Sequence, residues 1–62
     1  MTTNRSFINT LLSEGSLAVT GRTGRTIEPV TVNGVTEYHI EYENTLWIVV
    51  VGPDFASALP TH

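Results

Sequence analysis

Two groups of polar residues have the types and spacing that chemistry would need. Glu37, His39, Glu41 and Glu43 recur at every second position. On an extended strand such residues line one face. Carboxylates beside an imidazole offer oxygen and nitrogen donors to a divalent cation. One strand supplies those donors in a line, however, whereas a tetrahedral site draws on a second element. The same row suits the wet face of an antiparallel sheet, or an acidic surface for a basic protein partner. His39 with a carboxylate neighbour has the makings of a general base, but a nucleophile is missing. The chain has no cysteine, and Ser6, Ser13, Ser16 and Ser57 all lie outside a Gly-x-Ser-x-Gly turn. A 62-residue chain also leaves little room for a pocket of several hundred Å3. The expectation is no catalytic residue, no metal and no cofactor.

The second group is the tandem Thr20-Gly21-Arg22-Thr23-Gly24-Arg25, which holds two of the three arginines. Guanidinium forks match phosphate oxygens, and glycine lets backbone amides approach an anion. The Walker pattern is absent, since no Gly-Lys-Ser/Thr follows and no helix opens after the loop. Two arginines alone give little affinity for nucleic acid at cellular salt. Phosphate contact by Arg22 and Arg25 is therefore the alternative to a solvated hairpin tip. A net charge of −3 with no lysine argues against a nucleic-acid footprint on the chain as a whole.

What must position these groups is the stretch Thr45-Leu46-Trp47-Ile48-Val49-Val50-Val51. It is apolar without interruption, β-branched, and closed by Gly52-Pro53. This pattern reads as a strand buried on both faces, and it is far shorter than the roughly 20 residues of a membrane span. Leu46, Ile48 and Val50 point one way; Trp47, Val49 and Val51 point the other. Two apolar rows need two covers. A short chain has few elements to supply them, and small domains without disulfides or metals commonly self-associate. A homodimer is thus expected, with Trp47, Val49 and Val51 as its interface. The competing assignment for Trp47 is a core anchor against the helix.

Before that strand, Phe7, Ile8, Leu11 and Leu12 have the spacing of an amphipathic helix over about 4–14, capped by Thr3 or Asn4 and ended by a left-handed Gly15. Ser16–Thr20 alternates as a strand with Leu17 and Val19 inward. A strand over about 26–32 carries a parity shift at Pro29, which marks an edge or bulge. Asn33-Gly34 is a strong type I′ hairpin signal, and Glu43-Asn44 a second tight turn. Between them the strand 35–42 alternates, with Tyr38, Ile40 and Tyr42 opposite Glu37, His39 and Glu41. Pro53 and the spacing of Phe55, Ala58 and Leu59 predict a short C-terminal helix over 53–59, docked on the sheet or left as a tail.

The fold class expected is α+β in a single domain, residues 1–62: an N-terminal helix on a four-stranded antiparallel meander, with a small barrel as the alternative. No signal peptide is visible, and the chain reads as a complete small cytoplasmic protein that does not enter a membrane. Function is expected to be that of a small non-enzymatic protein-binding module acting as an accessory, regulatory or inhibitor protein. Its partner-binding residues would be Arg22, Arg25, Glu37, His39 and Glu41. Nucleic-acid binding through residues 21–25 is the alternative.

Overall fold

The computed structural model of the chain describes residues 5–61. One helix, α1 (Arg5–Glu14), precedes seven strands: β1 (Ser16–Leu17), β2 (Val19–Thr20), β3 (Arg25–Thr26), β4 (Val30–Val32), β5 (Val35–Tyr42), β6 (Thr45–Val51) and β7 (Ala56–Thr61). The class is α+β with antiparallel pairing, as the hydrophobic pattern predicts. The candidate helix caps Thr3 and Asn4 lie outside the described residues.

The β5–β6 hairpin is the centre of the sheet. Its turn, Glu43-Asn44, has both residues at positive φ (51° and 63°), and Asn33-Gly34 repeats this at 53° and 78°. Both are the two-residue connections whose twist matches that of paired strands. They lock the registers Tyr42↔Thr45 and Val32↔Val35. From the first follow Ile40↔Trp47 and Tyr38↔Val49, so these side chains share a face.

Four expectations need correction. First, the stretch 53–59 is not helical. Gly52 to Phe55 forms a four-residue turn closed by a 2.8 Å bond from the Gly52 N–H to the Phe55 carbonyl, and β7 then pairs with β6. Pro60 is tolerated because β7 has β6 as its one neighbour in the sheet order, and an edge strand can lack a donor. Ala56 and Ala58 pack on the core, while Phe55 and Leu59 are exposed.

Second, the meander is not sequential at its start. The main sheet runs β1-β5-β6-β7, with β4 also on β5, and β2-β3 forms a separate ribbon. Strand 16–20 breaks at Ala18, which is buried. The Ala18 N–H donates to the His39 carbonyl, and its own carbonyl accepts from the Ile27 N–H, both at 2.8 Å. These two bonds tie the ribbon to the main sheet and bend the chain, so Val19 is exposed rather than buried. Likewise 26–32 splits into β3 and β4 around Pro29.

Third, Leu12 lies on the outer side of α1 and is exposed, while Ile8 and Leu11 enter the core. Fourth, Gly15 is not left-handed. It is needed for space: a Cβ there would overlap the Ile40 side chain and lie 2.7 Å from the Leu11 carbonyl oxygen.

The core consists of Ile8, Leu11, Ile40, Val49 and Ala58, with Phe7, Leu17, Tyr38, Tyr42, Trp47, Val51 and Ala56 packed around it. Phe7 meets Trp47 edge-on at 4.9 Å between ring centroids, and Tyr42 at 6.4 Å. Such edge contacts suit the ring quadrupoles.

Candidate interaction surface

Strand alternation separates the two faces of the main sheet. Tyr38, Ile40, Trp47, Val49, Val51, Ala56 and Ala58 all belong to the face that α1 covers. The residues expected at a dimer interface are among them. Trp47, Val49 and Val51 lie in the chain's own core, and Val49 has no exposed surface at all. Ile8 and Leu11 of the helix pack here in one cluster with Ile40, Val49 and Ala58, beside Tyr38, Tyr42, Trp47 and Ala56.

The opposite face carries the other row. Pairing places Glu37 beside Val50 and Ser57, His39 beside Ile48 and Leu59, and Glu41 beside Leu46 and Thr61. Val30 pairs with Glu37 and Val32 with Val35, so these three valines continue the same face. No residue of this set belongs to the hydrophobic core cluster. Leu59, Val30 and Val32 are 67%, 60% and 61% exposed. Leu46, Ile48 and Val50 are half-buried. The result is a sheet face with an apolar centre, and Glu37, His39 and Glu41 form a polar strip along it.

Within that strip the His39 imidazole Nε2 lies 3.0 Å from a Glu37 carboxylate oxygen. Glu43 is not part of the row, because it sits in the turn at positive φ. Among the described residues no group of three His, Asp or Glu side chains is placed to hold a metal ion. A shallow, open depression of about 550 Å3 lies between Ser16, Glu41 and the Glu43-Asn44 turn. Its lining of solvated groups offers no enclosed reaction site.

Arg22 and Arg25 are both exposed, at and beside the tip of the β2–β3 ribbon. Gly24 at φ 67° lets the four-residue tip close, and hydroxyls of Thr20 and Thr23 hydrogen-bond at 2.8 Å across it. Threonine pairing therefore organises the ribbon tip, which the Thr-Gly-Arg repeat alone does not reveal. Burial pushes the Tyr42 hydroxyl above its ordinary 10.0, and Glu43 and Glu14 add to this.

The sequence shows two apolar rows in Thr45–Val51 and leaves Trp47 open to a dimer contact or a core role. The signal that separates them is the Glu43-Asn44 turn, which fixes Trp47 opposite Ile40 and so puts the aromatic residues together. No family model matches this chain, and no match is found among curated proteins or solved structures. Among the described residues no helix is long and apolar enough to cross a membrane.

Proposed function

We propose that this chain is a small non-enzymatic protein-binding module, of accessory, regulatory or inhibitory type, that works through the open face of its main sheet. The observation that carries this reading is the half-buried row Leu46, Ile48 and Val50, extended by exposed Val30, Val32 and Leu59. Contiguous apolar patches on a small protein mark interaction sites. Glu37, His39 and Glu41 give that patch a polar strip that would set partner choice more than affinity. The exposure of Arg22 and Arg25 together at a hairpin tip favours a second reading, contact with phosphates.

Ile48→Glu, at the centre of the face, separates these readings. Immobilised wild-type chain should retain a specific protein, its own kind or another, and Ile48→Glu should lose it. Retention of nucleic acid instead, lost on Arg22→Ala with Arg25→Ala and falling steeply with salt, would replace the first reading with the second.

A further inference from the structure

We infer that the polypeptide covering the open face is a second copy of this chain, stacked sheet on sheet about a two-fold axis running along β6. This rests on the protein-binding reading above and names its partner.

Three observations support a second copy. The first is the size of the core. Only Leu11 and Val49 are fully buried large side chains among the described residues. A domain this small gains most from burying a further face, and a cover needed wherever the chain exists is best supplied by the chain itself. The second is the footprint. Strands ~4.8 Å apart with ~3.4 Å per residue give β5, β6, β7 and the adjoining β4 a projected area of roughly 400 Å2 per copy. Side-chain relief brings the accessible area close to half of the ~1,000 Å2 total at which specific interfaces begin.

The third is charge, and it selects the axis. A two-fold axis across the strands would lay β5 on the partner's β5, with carboxylates facing carboxylates. An axis along β6 lays β5 over β7 of the other copy instead. Residues on one level of the sheet then stay level: Glu37 meets Ser57, His39 meets Leu59, Glu41 meets Thr61, and Ile48 meets its own symmetry mate. Glu37 thus faces a hydroxyl and not another acid. Sheets stack in this aligned manner with a rotation of about 30°.

Sedimentation velocity across a micromolar concentration series tests the dimer. Wild-type chain should move from monomer to dimer. Ile48→Glu and Leu59→Glu should each remain monomeric, while Leu12→Glu on the outer side of α1 should still dimerise. Leu59 is 67% exposed, so its substitution answers even where Ile48→Glu compromises folding. The axis is read with a short thiol cross-linker, since the chain has no native cysteine. Chains carrying His39→Cys mixed with chains carrying Leu59→Cys should cross-link to one another more than either does to itself. Preferential self-linking would overturn the axis. A wild-type monomer throughout, or a dimer indifferent to both Ile48→Glu and Leu59→Glu, would overturn the dimer. If such a monomer still retains another protein, lost in Ile48→Glu, the protein-binding reading survives without self-association. If it retains nothing, both fall.

Discussion

Gly15 and Glu43 show how much of this fold is decided by single residues. Gly15 lies where α1 turns onto the sheet, and a Cβ added there would overlap the Ile40 side chain. Gly15→Ala should therefore lower stability by about 1–3 kcal/mol, the range for overpacked sites, as measured by urea denaturation. An effect near zero would mean that α1 is not seated on β5. Glu43 is a non-glycine residue held at φ 51°. Left-handed backbone costs ordinary L-residues roughly 1–2 kcal/mol, and asparagine less. Glu43→Asn should accordingly stabilise the chain by about 0.5–1 kcal/mol, read as a rise in the urea midpoint at unchanged slope. The two turns were legible in the sequence because Asn-Gly and Glu-Asn each leave two residues between extended stretches. The role of Gly15 was not, since a helix-ending glycine looks the same whether it supplies a positive φ or merely space. Trp47 illustrates a cost that sequence does not reveal: its buried indole Nε1 has no hydrogen-bond partner among the described residues.

At the scale of elements, α1 is poorly matched to its own dipole. It has no acidic residue in its first turn and no basic residue in its last, where Glu14 stands instead. Glu14→Lys should add about 0.3–1 kcal/mol at low salt and less at high salt. The same substitution should bring Tyr42 closer to its ordinary ionisation, because Glu14 is one of the charges that raise it. The sign of that shift is clear. A tyrosine whose folded pKa lies above 10.0 holds its proton after the unfolded chain has released it. Stability is unaffected below the unfolded value and falls as pH rises from there through the folded value. Absorbance titration of the phenols should show this late ionisation, and a normal ionisation for Tyr42 would remove it. Among elements, α1, β5 and β6 were legible because their periodicities are clean. The bend at Ala18 was not, because it is made by hydrogen bonds to His39 and Ile27, both distant in sequence. The C-terminal strand was hidden by Phe55, Ala58 and Leu59, whose spacing fits a helix, and by Pro60, which stops a helix but is harmless on a sheet edge.

For the molecule as a whole, the decisive property is asymmetry between two apolar faces of one sheet. That β6 would be apolar on both sides was plain from its residues. Which row the helix would cover depended on the register of the β5–β6 hairpin and on Ala56 and Ala58, which pack with the core and belong to a strand the pattern concealed. The direct measurement is thiol labelling of single cysteines placed on adjacent residues of β6, in dilute chain where self-association is absent. Ile48→Cys should react on the order of tenfold faster than Val49→Cys or more, because Val49 is reached only when the structure opens. Equal rates, or faster labelling at Val49, would contradict the account.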